Sequence, residues 1–269
     1  SLGMIVPDAA NPFFAEVARG VETCAFSLGY TVILCNSDGD LVREQAYLDV
    51  LIEKRVDGIV FVAAGESRDH FQSLLEQEIQ VVVVDRDMPG LKVDCVLVDN
   101  YDGGLQATAH LIHHGHRRIA CLAGPHEVTP SADRVRGYRQ ALADAGIRFD
   151  PALLVYGDFH TDSGYLAAAE LLELPDRPTA IFVCNDLMAI GVMAAVQEAG
   201  LRIPRNMAVV GFDDIALASY SLPRLTTVAQ PSQKMGELAA QLLVARIENP
   251  DRSPERHLLL TRLVVRESA

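Results

Sequence analysis

The sequence is poor in aromatic residues and in cysteine. It contains no tryptophan and only 6% aromatic residues, and its five cysteines include no Cys-x-x-Cys pair. An odd number of scattered cysteines disfavours a disulfide framework or a zinc ribbon. Most of them lie in apolar stretches, which is typical of small core residues in a reduced, cytoplasmic protein. No stretch reaches the ~20 apolar residues of a transmembrane helix, and no basic segment of a signal peptide precedes the first apolar run.

Positive charge is also scarce, with 23 Lys and Arg against 36 Asp and Glu and a net charge of −13. An acidic surface repels nucleic-acid phosphates and anionic lipids. We therefore expect this chain by itself to bind neither DNA nor a membrane surface.

Signatures of catalysis and of metal binding are missing as well. There is no Gly-x-Ser-x-Gly elbow and no phosphate-binding Walker loop. His110 and His114 have an i, i+4 spacing that zinc sites use, but no Glu follows His110 as in a His-Glu-x-x-His motif. We predict no metal, no cofactor and no catalytic residue, and we interpret the histidine-rich stretch as a helix C-terminus that suits the helix dipole.

Short apolar runs alternate with amphipathic segments along the whole chain. Runs that are apolar throughout indicate parallel strands covered on both faces, so the fold class is predicted as α/β with Rossmann-like parallel sheets. Ten strands are many for one open sheet, which favours two lobes. The predicted strands are 2–7, 30–35, 58–63, 80–85, 95–99, 118–124, 153–157, 179–184, 207–212 and 226–230, and the predicted helices are 13–28, 42–54, 101–115, 132–145, 186–199 and 232–248.

Polar and aromatic side chains cluster where these predicted strands end. In open α/β sheets ligands bind just beyond the carboxyl ends of the strands, so this edge is predicted as the binding edge. The residues that follow strand ends are Asn11, Phe13, Phe14, Asp85, Arg86, Asn185, Asp186, Asp213, Asp214 and Gln230.

The chemistry of this set favours a small neutral ligand with several hydroxyl groups. Carboxylates and guanidinium groups pair with adjacent hydroxyls, and phenylalanine rings cover the C–H face of a sugar. The charges of Asp85, Arg86, Arg134 and Asp213 cancel, whereas a phosphorylated or carboxylated ligand would need surplus positive charge. A neutral sugar or a nucleoside is therefore predicted.

Some of these residues also have plain structural interpretations. Asp214 is expected to be a helix N-cap and Asp87 to turn to solvent ahead of Pro89. Phe13 and Phe14 are adjacent on a helix, so at least one is expected to lie outside the core. Arg134 fits a surface helix equally well.

Several segments resemble the effector-binding domain of lactose-repressor (LacI) family transcription regulators. They include "PDAANPFFAEVARGVE" (7–22), "CNDLMAIGVMAAVQEAGLRIP" (184–204), "IPRNMAVVGFDDIALASYSLPRLTTVAQP" (203–231) and the ending "LLLTRLVVRES" (258–268). The resemblance covers essentially the whole chain. It implies a type I periplasmic-binding-protein fold with three crossovers and a ligand cleft between the lobes. The lobes would be 1–99 with 231–259, and 100–230 with 260–269.

Within that family the predicted site looks closest to ribose-type repressors. The resemblance implies a neutral sugar effector, ribose or a related pentose, and a homodimer. The ligand contacts that it implies are Asn11, Phe13, Phe14, Asp85, Arg86, Arg134, Phe159, Asn185, Asp213 and Gln230.

Family repressors carry a helix-turn-helix and a hinge helix ahead of this domain, and this chain starts after both. The resemblance therefore implies contact with operator DNA only through a domain that is absent here. The alternative is a periplasmic sugar-binding protein of an ABC transporter, which would use the same site. A sugar-processing enzyme with Asp85 and Asp213 as an acid–base pair is a third possibility, with no motif to support it.

Overall fold

A computed structural model describes residues 1–62, 74, 77, 79–88, 90 and 92–269. Two compact units are present: the first comprises Ser1–Val98 and Pro231–Leu259, and the second comprises Asp99–Gln230 and Leu260–Ala269. Each unit contains one six-stranded sheet. Asp99 falls in the second unit.

The first unit has a fully parallel sheet, with the strand order β11-β5-β4-β3-β1-β2. Its core contains strands that are buried along their whole length, as expected of a sheet covered on both faces. The strands are β1 (Leu2–Val6), β2 (Val32–Asn36), β3 (Gly58–Phe61), β4 (Gln80–Val84), β5 (Asp94–Val98) and β11 (Arg256–Leu259); the helices are α1 (Pro12–Ser27), α2 (Leu41–Glu53) and α7 (Ser232–Glu248).

The second unit has the strand order β12-β10-β9-β8-β6-β7, in which only β12 runs antiparallel. Its strands are β6 (Ile119–Ala123), β7 (Leu154–Tyr156), β8 (Ala180–Val183), β9 (Ala208–Asp213), β10 (Thr226–Ala229) and β12 (Arg262–Val264). Its helices are α3 (Asn100–His113), α4 (Thr129–Asp144), α5 (Thr161–Leu172) and α6 (Asp186–Glu198). The prediction of two mostly parallel α/β sheets is confirmed.

Helices pack in pairs through glycines that bring their backbones together. A Cβ atom at any of these glycines would lie only 2.0–2.3 Å from a backbone oxygen of the partner helix or of the residue at its start, so no other residue fits without displacing the helices. The glycines are Gly20 and Gly236 for α1 with α7, Gly104 and Gly137 for α3 with α4, and Gly164 and Gly191 for α5 with α6.

Side chains from loops fix where the helices begin. Asn11 caps α1 by accepting from the Phe13 amide, and Pro12 follows at the first helical position, where its missing N–H costs nothing. Asp40 caps α2 by accepting from two backbone amides. These caps place the start of each helix directly after a strand of the same sheet.

Three elements were not predicted. The helix α5 was not among the predicted helices, and β11 and β12, one in each unit, were not among the ten predicted strands. In the part of the chain that the structure describes, no helix combines the length and the apolar character needed to cross a lipid bilayer.

Candidate ligand-binding site

Five neighbouring parallel strands of the second unit end at one edge of its sheet. Gly124 follows β6, Phe159 lies beyond β7, Asn185 follows β8, Asp213 ends β9 and Gln230 follows β10. Because neighbouring strands are about 4.8 Å apart, their side chains form an arc along this edge. The sequence predicted four of these five positions as ligand contacts.

Asp213 is the centre of a buried polar group in this arc. Its Oδ1 accepts a 2.7 Å hydrogen bond from the Gln230 amide and lies 3.9 Å from the Arg134 guanidinium. All three side chains are at most 7% exposed. The Oε1 atom of Gln230 is buried and has no hydrogen-bond partner among the described residues. A buried acceptor without a partner is costly, so this site favours a ligand that donates a hydrogen bond.

Arg134 belongs to this site and not to the helix surface. Its Nε donates to Asn100 Oδ1 at 2.8 Å, its Nη1 donates to the carbonyl of Cys184, and its guanidinium lies 3.8 Å from the centre of the Phe212 ring. These contacts hold the guanidinium in one orientation beside Asp213. Asn100 could not be predicted as part of the site, because nothing in its local sequence pattern indicates a partner 34 residues away.

Asn185 is both a helix cap and an anchor for Phe159. Its Oδ1 accepts from the Met188 amide at the start of α6, and its Nδ2 donates to the Phe159 carbonyl at 2.8 Å. Phe159 has a positive φ of 71°, which non-glycine residues adopt only where their surroundings hold them. A Cβ atom on Gly124 would lie 2.0 Å from the Phe159 ring, so Gly124 leaves the space in which that ring lies.

In the first unit the charged pair lies directly beyond β4. Asp85 has φ 67°, is 7% exposed, and donates its backbone amide to the Val96 carbonyl. Arg86 is partly buried, and its backbone amide donates to Val84. Strands β4 and β1 are separated by β3, so the carboxyl end of β1, where the loop that carries Asn11 begins, lies about 10 Å away along the same sheet edge.

The two phenylalanines of this loop do not separate as expected. Phe13 and Phe14 are 5% and 7% exposed, belong to the same apolar cluster, and contact each other edge to face with ring centres 5.0 Å apart. The expectation that one ring would lie outside the core was wrong. Edge-to-face contact allows two adjacent rings to share one apolar environment although they leave the helix in different directions.

Two carboxylates that follow predicted contacts are paired with arginines. Asp87 is partly exposed, as expected, and forms two 2.9 Å hydrogen bonds with Arg256, which holds the pKa of the Asp87 carboxyl below its usual value. Asp214 is not a helix cap: it has φ 59° and accepts a 2.6 Å hydrogen bond from Arg266, and the short 3₁₀ helix after it has no side-chain cap. Arg256 and Arg266 thus each bind a carboxylate that directly follows a predicted ligand contact, Asp87 after Arg86 and Asp214 after Asp213.

The histidine stretch lies at the end of α3, as predicted. Burial lowers the pKa values of the His110 and His116 imidazoles below their usual value. Within the described residues, no group of three or more His, Cys, Asp and Glu side chains is arranged to hold a metal ion.

Comparison with known proteins shows the family. The periplasmic binding protein-like domain family matches residues 108–269. The PurR transcriptional repressor of Aliivibrio fischeri (strain MJ11) is 38% identical over all of this chain and 80% of its own length. The ribose operon repressor of Escherichia coli K12 is 40% identical over all of this chain and 82% of its own length.

A solved structure of a LacI family regulator is also similar to this chain. A LacI family transcriptional regulator from Enterococcus faecium with bound ribose superimposes with a TM-score of 0.90 at 32% identity, covering all of this chain and 98% of that one. The relatives are transcriptional repressors, which are not enzymes. The chain belongs to the LacI family of transcriptional regulators and is an effector-binding domain with the periplasmic-binding-protein-like fold of that family.

Proposed function

We propose that this domain binds a neutral sugar, ribose or a related pentose, as the effector of its regulator. The ligand contacts in this proposal are Asn11, Phe13, Phe14, Asp85 and Arg86 of the first unit with Arg134, Phe159, Asn185, Asp213 and Gln230 of the second unit. The observation that carries the proposal is the buried group at the sheet edge of the second unit, where Gln230 Oε1, beside the Asp213 carboxylate, has no hydrogen-bond partner in the part of the chain that the structure describes.

That group suits hydroxyls better than an ionised ligand. A sugar hydroxyl can donate to Asp213 or to Gln230 Oε1 and can accept from the Arg134 guanidinium. Arg134 and Asp213 are 3.9 Å apart and offset each other in charge, so no surplus positive charge is left for a phosphate or a carboxylate. Asp85 and Arg86 repeat this combination of one anion and one cation in the first unit.

Phe159 supplies the apolar side of the proposed site. Its ring is partly exposed, whereas most large apolar residues of the second unit are fully buried. An aromatic ring held at a sheet edge by backbone anchoring is suited to stack against the C–H face of a sugar ring. A planar purine would stack there too, and one set of relatives is named PurR.

Ribose is favoured over a purine by two observations together. The ribose operon repressor is 40% identical over the whole chain, and the Enterococcus faecium regulator was solved with ribose bound. The carboxylates Asp85 and Asp213 accept paired hydrogen bonds from adjacent hydroxyls, which a pentose provides around its ring and a purine base lacks.

In the complete regulator, the effector acts by binding one conformation of the domain more tightly than another. A ligand shifts such an equilibrium only through its differential affinity for the two states. A DNA-binding domain outside this chain would contact operator DNA, in agreement with the net charge of −13 of this domain. A regulator that acts on operator DNA is cytoplasmic. The relatives reported above are repressors, and nothing in them supports the transporter alternative.

We also propose that the domain forms a homodimer. In the first unit, apolar side chains are exposed on the edge strand β2 and at the start of α2, where Leu34 is 48% and Val42 is 80% exposed. In the second unit, Tyr220 and Leu222 are each 81% exposed within one short segment. Contiguous exposed apolar residues mark protein–protein interfaces, and symmetric pairing of two copies would cover each such surface with its own counterpart.

Isothermal titration calorimetry tests the effector proposal. The panel consists of D-ribose, other pentoses, hexoses, adenosine, hypoxanthine and guanine, each titrated into the purified domain. We expect ribose or another pentose to bind and the purine bases to give no heat. Binding of a purine base without binding of any sugar would refute the proposed ligand class while leaving the family assignment in place.

Sedimentation equilibrium tests the dimer proposal. The parent domain should sediment as a dimer, and the substitutions Val42→Asp and Tyr220→Asp together should give a folded monomer. Leu166→Asp is the matched control, because Leu166 is 62% exposed but belongs to neither surface. A monomeric parent protein at tens of micromolar would contradict the proposal.

A further inference from the structure

Asp186 is a buried acid next to the proposed site, and no ligand contact is assigned to it. It is the first residue of α6, and its side chain is fully buried. Its Oδ1 accepts a 2.6 Å hydrogen bond from the Thr227 hydroxyl, and its Oδ2 accepts a 2.9 Å bond from the Ile215 amide. Both carboxylate oxygens are therefore committed within the protein.

The bond to Ile215 ties down the turn that carries Asp213. Asp213 and Asp214 have φ values of 116° and 59°, a region that L residues adopt only when the surrounding structure holds them. Ile215 is the next residue, so a hydrogen bond from its amide fixes the end of this turn. The direction of the Asp213 carboxylate depends on that backbone conformation.

The bond to Thr227 connects the same carboxyl to β10. Thr227 lies three residues before Gln230, whose amide donates to Asp213. Asp186 also follows Asn185, which anchors Phe159. One side chain thus links α6, the turn after β9 and β10, each of which presents a proposed ligand contact.

The space around this carboxyl fits it closely. A Cβ atom on Gly211 would lie 2.1 Å from Asp186 Oδ1, so β9 approaches the carboxyl as closely as a residue without a side chain allows. Burial and the nearby charge of Asp213 raise the pKa of Asp186 well above its usual value. A buried carboxyl in such an environment lowers the stability of the fold, which indicates that Asp186 is kept for a functional role.

We propose that Asp186 is a positioning residue for the effector: it holds the turn at 213–215 so that the Asp213 carboxylate faces the hydroxyls of the sugar. Asp186 does not contact the ligand itself. This role rests on the proposed function for the identity of the ligand, but the anchoring of the turn by Asp186 involves only residues of the second unit and does not depend on the ligand.

A double-mutant cycle separates positioning from a general effect on the fold. Asp186→Ala should weaken ribose binding at least tenfold, and Asp186→Ala combined with Asp213→Ala should bind no more weakly than Asp213→Ala alone. Asp186→Ala combined with Arg86→Ala should show the two losses multiplied, because Arg86 lies in the other unit. Losses that multiply in the first pair would overturn the proposal.

Two further variants keep the test independent of folding failure. Asn at 186 can accept from the Ile215 amide and donate to the Thr227 hydroxyl, so Asp186→Asn should retain affinity within about threefold. Asp162→Ala is the matched control: it also removes an acid from the first turn of a helix, but Asp162 is exposed and should not affect binding. A tenfold loss in Asp186→Asn would show that the charge itself, and not the anchoring, matters, and would overturn the proposal.

Amide hydrogen exchange without ligand distinguishes a failure here from a failure of the proposed function. Protection of the Ile215 amide should fall in Asp186→Ala and persist in Asp186→Asn. Unchanged protection in Asp186→Ala would overturn the positioning role whatever the ligand is. If protection is lost in Asp186→Ala but the parent protein binds no sugar, the anchoring by Asp186 is upheld and the proposed effector is refuted instead.

Discussion

The neighbouring carboxylates Asp213 and Asp214 provide a sharp test of which residues bind the effector. Both follow the same buried strand, and both have positive φ values that Asn tolerates nearly as well as Asp. Replacing each by Asn therefore removes one charge at two adjacent positions while retaining the backbone conformation. The two substitutions should nevertheless have different consequences.

Asp213→Asn should weaken ribose binding about 10- to 150-fold. The Asp213 carboxylate accepts a hydrogen bond from Gln230 and lies 3.9 Å from the Arg134 guanidinium, and it is the anion proposed to accept from the sugar. A hydrogen bond to a charged group contributes about 1.5–3 kcal/mol, which corresponds to this range of affinity. The measurement is the dissociation constant from calorimetry.

Asp214→Asn should change the affinity by less than about threefold. Its carboxylate already accepts from Arg266, and both side chains are partly buried, so the expected loss is in thermal stability. Melting temperatures of both variants show that each is folded. Equal losses of affinity at the two positions, or a larger loss at Asp214, would refute the assignment of Asp213 as the contact residue.

Three other substitutions have defined outcomes. Gly124→Ala should displace the Phe159 ring and weaken ribose binding about tenfold or more by calorimetry, because the added methyl group would lie 2.0 Å from that ring; unchanged affinity would contradict the stacking role. Asp186→Asn should become more stable relative to the parent as the pH rises from about 4 to 7, because a raised pKa in the folded state makes ionisation of Asp186 cost about 1.4 kcal/mol per pKa unit. Chemical denaturation at several pH values measures the difference in unfolding free energy between the two proteins. A difference that shrinks as the pH rises would contradict this prediction. Arg256→Ala should cost about 0.5–1 kcal/mol at neutral pH, and this difference should vanish as acid protonates Asp87, whose folded-state pKa is lowered.

The strands that build the two sheets could be predicted because their residues are apolar throughout. The run at 80–84 is an example, since four valines of β4 are buried within the sheet. The helix α5 also carried a readable signal, with buried residues at 164, 167, 168 and 171, and was overlooked. The strand β11 was not readable in the same way: its residues alternate between exposed and half-buried, and its pairing with β5 joins residues about 160 positions apart.

Site residues that directly follow a strand could be predicted, whereas roles that depend on a partner far away in the sequence could not. Asp85, Asn185 and Asp213 lie at the expected sheet edges for this reason. The helix-cap role expected for Asp214 was wrong, and the arginine partners of Asp87 and Asp214 could not be predicted because they lie 169 and 52 residues further along the chain. Local spacing contains no information about such pairs.

The residues that support the ligand contacts could not be predicted from the sequence either. Asn100 and Gly124 have no chemistry that marks a ligand site, and only the folded structure shows that they hold Arg134 and make room for Phe159. Asp186 stood at the predicted edge, but its role depends on the amide and hydroxyl that it meets there.

The central claim, that this domain binds a neutral sugar through Asp213 and its neighbours, is tested most directly by a crystal structure grown with D-ribose and hypoxanthine together. We predict density for a pentose, with a hydroxyl within about 3.2 Å of an Asp213 oxygen and another within the same distance of Gln230 Oε1. Density for the purine at these atoms, or a sugar bound without contact to Asp213, would contradict the account.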